Sequence, residues 1–150
     1  MLAPGDPAPS FTLVDQHGND VTLRSFGGRR ALVYFYPKAD TPGCTAQACG
    51  LRDVLPELGD TVVVGISPDA PARLKRFDEK HGLGFTLLSD PEHAVAHDYG
   101  VWGDKRMYGR TYQGVIRSAF LVDEQGKVAE AWYKISPKDT PKKLLAAVAA

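Results

Sequence analysis

Both cysteines of the chain, Cys44 and Cys49, lie five residues apart within "YFYPKADTPGCTAQACGLRD" (34–53). Thr41 suits a helix N-cap, and Pro42 the first helical position, where no backbone N–H is needed. Cys44 then falls in the first turn. Unpaired N–H groups and the helix dipole favour an anion there, so the thiolate gains on the thiol. A cysteine is otherwise most simply a small buried hydrophobe. The place in the first turn, beside Pro42 and Gly43, favours the nucleophile.

Cys49 poses a different problem. On one continuous α-helix the two Cα atoms stand about 8–9 Å apart, beyond the roughly 7 Å that a disulfide tolerates. Either Cys49 is inert, or the pair works by local unwinding of the helix. Gly50 weakens a helix interior by about 1 kcal/mol relative to alanine, which is compatible with unwinding. Metal binding is a poor match, because zinc wants about four ligands and the chain has no third cysteine. His93 and His97, at i and i+4, lack an obvious third ligand and read as surface histidines. The C-x2-C motif of disulfide exchangers is absent as well.

A lone thiolate needs an electrophile. If that is a peroxide, sulfur attacks one oxygen while the other leaves with growing negative charge. Donors aimed at those oxygens stabilise the transition state. The candidates are the Thr41 hydroxyl, the amides of Gly43 and Cys44, and a cation, Arg117, which directly precedes the apolar run "SAFLV". Taken alone, an arginine at a strand end is more often plain surface.

These residues need a frame. With 150 residues, 43% hydrophobic and 24% charged, the chain has the size and composition of one domain spanning 1–150. Lysines and arginines number 18, as do acidic residues, so no net field draws nucleic acid or anionic lipid. The pairs in "GGRR" and "PKK" are too short to change that. The N-terminal "MLAPGDPAPSF" lacks basic and apolar signal regions, and no run approaches the roughly 20 apolar residues of a membrane span. The default expectation is a cytoplasmic protein. In that compartment cysteine pairs are more often catalytic, redox-active or metal-binding than structural.

The pattern predicts a hairpin, "SFTLVD" and "DVTLRS" around "QHGN", and then a strand at 31–36 buried on both faces. A helix over 42–58, a second buried strand at 61–67 and a helix ending at Gly82 follow. The turn "SPD" (67–69) is assigned no chemistry. Next come a strand at 85–90, a short helix starting at Pro91, and a loop-like stretch over 101–115. Two strands around a turn at 124–126 and a final helix close the chain. This order requires parallel strands early and an antiparallel pair late. The fold class is α/β, thioredoxin-like: a central mixed sheet flanked by helices, with an N-terminal hairpin extension.

With these residues assembled, the chain resembles the peroxiredoxins, and among them the Q subgroup, also called bacterioferritin comigratory protein. The signature P-x-x-x-T-x-x-C is met by Pro37, Thr41 and Cys44. The subgroup's longer form is met by "FYPKADTPGCTAQAC", and "DYGVWGDKRMYGRTYQGVIRSAFLVDEQGKV" is similar too. The resemblance implies an atypical 2-Cys, thiol-dependent peroxidase of hydrogen peroxide and organic hydroperoxides. By it, Cys44 is oxidised to a sulfenic acid, and Cys49 resolves that acid as an intramolecular disulfide. Thr41 and Arg117 bind the peroxide and polarise the thiolate, and Pro37 shields the intermediate from water. A thioredoxin-type reductant is implied, and no metal, haem or flavin. A resolving cysteine in the same helix lets a monomer complete the cycle, with a weak dimer left open. Two rivals stand beside this reading: a thiol-based peroxide sensor, and a non-catalytic thioredoxin-like binding module.

Three positions depart from the family's pattern. Gln47 stands where many relatives carry glutamate, which puts that carboxylate's network in doubt. Ala39 replaces an acidic residue at an expected surface position. Ala119 replaces a threonine, with a looser Arg117 as the expected result. Trp102, Tyr108 and Tyr112 read as aromatic packing around the active-site loop, or as a collar for larger hydroperoxides.

Overall fold

The computed structural model describes residues 1–149. The N-terminal hairpin forms from Thr12–Asp15 (β1) and Asp20–Thr22 (β2). Asp15 closes its turn by accepting the amides of His17 and Asn19, each at 2.9 Å. The second strand is shorter than expected. Thr22 and Ser25 bond reciprocally to each other's backbone and turn Leu23–Phe26 into a 3₁₀ helix, a local competitor to the strand ladder.

Ala31–Phe35 (β3) is buried at every residue, as its continuous apolar run requires. Successive side chains point to opposite faces, so Leu32 and Tyr34, with Tyr36 beyond the strand, enter one core and Ala31, Val33 and Phe35 another. The expected long helix is Pro42–Val54 (α1) followed by a 3₁₀ turn at Leu55–Glu57. Pro56 has no N–H with which to continue the α-helical ladder. Val62–Ser67 (β4) leads to Pro71–His81 (α2), capped by Gly82 in the left-handed region at φ 56°. Thr86–Ser89 (β5) precedes Ala94–Asp98 (α3). This helix starts after Pro91 rather than at it, because His93 takes a positive φ of 55° at its N-cap.

The stretch expected as a loop is an antiparallel hairpin, Trp102–Met107 (β6) with Arg110–Val115 (β7). Tyr108 (φ 53°) and Gly109 (φ 76°) make its two-residue turn, the positive-φ geometry that suits strand twist. Most of its residues are exposed on both faces, so no apolar alternation marks it in the sequence. Ser118–Val122 (β8), Val128–Trp132 (β9) and Asp139–Ala149 (α4) complete the chain.

The main sheet runs β2-β1-β5-β4-β3-β8-β9. Strands β3, β4 and β5 are parallel and the other pairings antiparallel. The N-terminal hairpin joins this sheet through β1 and β5. One core lies under α1, α2 and α4, with Tyr34, Leu51, Leu74, Phe77 and Leu144. The other lies under α3 and the N-terminal segment, with Phe11, Val64, Val95 and Tyr99. Among the described residues, no helix is long and apolar enough to cross a membrane.

Candidate active site

The segment joining β3 to α1 places the first thiol. Thr41 is the N-cap, with extended φ −85° and ψ 156°, and Pro42 takes the first helical position. Cys44 follows in the first turn and is buried. The Thr41 hydroxyl does not cap the helix. It donates to the Lys38 carbonyl at 2.8 Å, so no side chain claims the first-turn amides beside Cys44. Pro37 begins this loop and is half-buried.

The loop is fastened from one side. The Ala39 amide donates to Asp69 at 2.7 Å, and the Ala39 carbonyl accepts from Arg73 at 3.0 Å. Ala39 is therefore buried, not the surface position expected, because both its backbone groups are bonded inward. Asp40, at φ 64°, pairs with Lys80 at 2.9 Å and with His81 at 3.1 Å. The Lys80 bond first, and the His81 bond second, hold its carboxyl below the usual carboxylate range. Asp69 belongs to the turn that was assigned no chemistry. The N-cap of α2 is Ala70, and the Asp69 carboxylate serves the active-site loop instead.

Arg117 comes from the opposite side. Its Nη2 donates to Cys44 Sγ at 3.3 Å, and its Nη1 donates to Gln47 Oε1 at 2.6 Å. Gly43 makes the approach possible, since a Cβ there would stand 3.3 Å from Nη2. The Arg117 carbonyl accepts from the Ile135 amide at 2.9 Å. The residue is held at backbone and side chain alike, with Ala119 buried two residues further on, in β8. Gln47 does not break the network: a neutral amide oxygen accepts a charge-assisted bond from an ionised guanidinium. Its Nε2 donates in turn to Thr140 Oγ1 at 2.9 Å.

Cys49 is only partly buried and packs against the core under α1. Both thiols are free and α1 is unbroken between them, so the helix holds them too far apart to bond. Residue 50 lies against α4: a Cβ there would come within 2.9 Å of Pro141 Cγ. Gly50 thus has a packing reason besides its weak helix propensity.

Sequence reasoning missed Thr140, Asp69 and Lys105. Lys105 reaches from β6 to donate to the Val115 carbonyl at 2.9 Å, two residues before Arg117. Burial, and then Arg117, lower its ammonium pKa, while Cys44 opposes the shift. The Tyr34 hydroxyl is buried and has no hydrogen-bond partner among the described residues. Of the aromatic residues expected to pack around the active-site loop, or else to form a collar, two point into solvent. Tyr108 is 97% exposed and Tyr112 42% exposed, while Trp102 stacks on His93 at 3.7 Å.

The chain matches the AhpC/TSA family over residues 4–131. A putative peroxiredoxin bcp of Haemophilus influenzae is 54% identical over 140 residues, 92% of this chain and 90% of the relative. Peroxiredoxin Bcp of Escherichia coli K12 is 56% identical over 129 residues, 85% of this chain and 83% of that one. Among solved structures, a Xanthomonas campestris bacterioferritin comigratory protein, studied for alkyl peroxide reduction, matches with a TM-score of 0.90. It is 32% identical and covers 99% of this chain and 98% of its own. A thiol at a helix start under a fixed guanidinium, on a thioredoxin-like sheet, agrees with these likenesses: the chain belongs to the AhpC/TSA family, as a peroxiredoxin of the Q, or Bcp, subgroup.

Proposed function

We propose that this thiol-dependent peroxidase works through Cys44 as the attacking thiolate and Cys49 as the resolving thiol. The observation that carries the reading is the Arg117 guanidinium 3.3 Å from Cys44 Sγ, at a helix start whose amides no side chain occupies. The thiolate attacks the nearer peroxide oxygen, the O–O bond breaks, and the departing alkoxide or hydroxide takes a proton to leave as alcohol or water. Arg117 and the Gly43 and Cys44 amides surround the place where charge grows, where fixed donors act most strongly. The Thr41 hydroxyl, whose proton goes to the Lys38 carbonyl, offers an acceptor for the peroxide's own O–H. Pro37 screens the resulting sulfenic acid from water.

Cys49 then attacks the sulfenic sulfur, a disulfide forms, and water leaves. Helix geometry keeps the Cα atoms about 8–9 Å apart, so α1 opens locally for this step. A thioredoxin-type dithiol returns both cysteines to thiols by exchange. The substrates are hydrogen peroxide and organic hydroperoxides, and a monomer suffices, since both thiols belong to one helix. Slow opening leaves the sulfenic acid open to a second oxidation.

Intact-protein mass after one equivalent of hydrogen peroxide tests this, beside a Cys49→Ser control. The wild type should lose two hydrogens, and the variant should gain one oxygen. No change in either over minutes would remove Cys44 as an activated nucleophile.

A further inference from the structure

Gln47 has two ends that its neighbours tell apart. Its oxygen accepts from Arg117 and its nitrogen donates to Thr140. The side chain is fully buried at 0% exposure, so no water repairs a wrong orientation. An amide turned about its last bond exchanges oxygen for NH2. Turned that way, it would aim donors at a guanidinium that itself has only donors.

The sense is fixed from the far side. Thr140, also at 0% exposure, gives its own hydroxyl proton to the Ser136 carbonyl at 2.9 Å. Its oxygen is left as an acceptor, and Gln47 meets it with the NH2 end. From Arg117, which donates to the Cys44 sulfur on one side and to Gln47 on the other, each donor then meets an acceptor through Gln47 and the Thr140 hydroxyl to the Ser136 carbonyl. We infer that Thr140, 93 residues from Gln47, is a positioning residue for peroxide reduction. By setting the polarity of Gln47 it holds Arg117 in the plane that reaches Cys44. The inference rests on the role proposed above for Arg117, and it makes α4 part of the catalytic apparatus.

The test compares single-turnover oxidation by hydrogen peroxide in full-length wild type, Thr140→Val, Thr140→Ser and Arg117→Ala. Valine keeps the shape and removes the acceptor, so oxidation should slow roughly tenfold, the loss of about one buried hydrogen bond. Serine keeps the hydroxyl and should restore most of the rate. The Gln47 side-chain amide resonances should move in the valine variant and stay in the serine one. Thr140→Ala carries the same comparison if valine prevents folding. A wild-type rate in Thr140→Val beside a slow Arg117→Ala overturns the role of Thr140 alone. Equal slowing in valine and serine variants reduces Thr140 to packing, and a wild-type rate in Arg117→Ala removes the reading on which it stands.

Discussion

Both thiols of α1 meet the apolar core beneath the helix, but Cys44 also receives a directional polar contact, whereas Cys49, little more than one turn further along, is described by its apolar packing. The first thiol has Arg117 against its sulfur and Gln47 behind the guanidinium. The second leans half-buried on the core below α1. Its neighbour Arg52 is engaged elsewhere, with Asp53 and the His81 carbonyl. Fixed dipoles can stabilise charge at one point, and that arrangement suits attack on an electrophile. A non-directional contact holds a thiol without activating it and loses little when the helix opens. In the proposed cycle one helix therefore carries an activating half and a half that opens.

Removing the thiols one at a time breaks this contrast most severely. Cys44→Ser should abolish peroxide consumption. Cys49→Ser should keep one fast oxidation and then stall, in an assay with thioredoxin as sole reductant. Sustained turnover by Cys49→Ser would make the halves equivalent and end the resolving role. A smaller effect sharpens the contrast instead. Arg117→Ala should slow the first oxidation by roughly a hundredfold and leave disulfide formation near its wild-type rate. Rapid-quench mass analysis separates the two steps, and equal slowing of both would show that Arg117 serves the whole helix.

The smallest effect concerns the loop before Cys44. Asp40 is held below its ordinary value of 3.8, by Lys80 first and His81 second. A depressed carboxyl contributes stability above its unfolded pKa and loses it as pH falls through the folded value. Asp40→Asn should therefore melt slightly below wild type at pH 7, and the gap should close as pH falls below the ordinary carboxyl value of 3.8 and through the lower folded one. A gap that ignores pH would mean that the charge is not what anchors the loop.

What was legible in the sequence follows the range of the interactions. Thr41, Pro42 and Cys44 act within one helical turn, and their types alone placed the thiol correctly. The run at 31–36 announced a strand buried on both faces. Arg117 could be suspected only from its position before "SAFLV", because its partner is 73 residues away. Thr140 and Asp69 reach the site through partners 93 and 30 residues away, and no local pattern marks that reach. Ala39 was misplaced because burial there depends on backbone bonds, not on side-chain type. The hairpin of β6 and β7 was lost because a ribbon exposed on both faces carries no alternation of apolar and polar residues.

The contact between Gly50 and Pro141 has a consequence for how the chain can change. With a Cβ at position 50 only 2.9 Å from Pro141 Cγ, a side chain there requires Pro141 to shift or to be replaced. An alanine at 50 matched by a smaller residue at 141 would add about 1 kcal/mol of helix preference. In the proposed cycle, that gain falls within the helix that opens before the thiols meet. The sturdier descendant would be the slower one, and selection for turnover would keep the glycine against selection for stability.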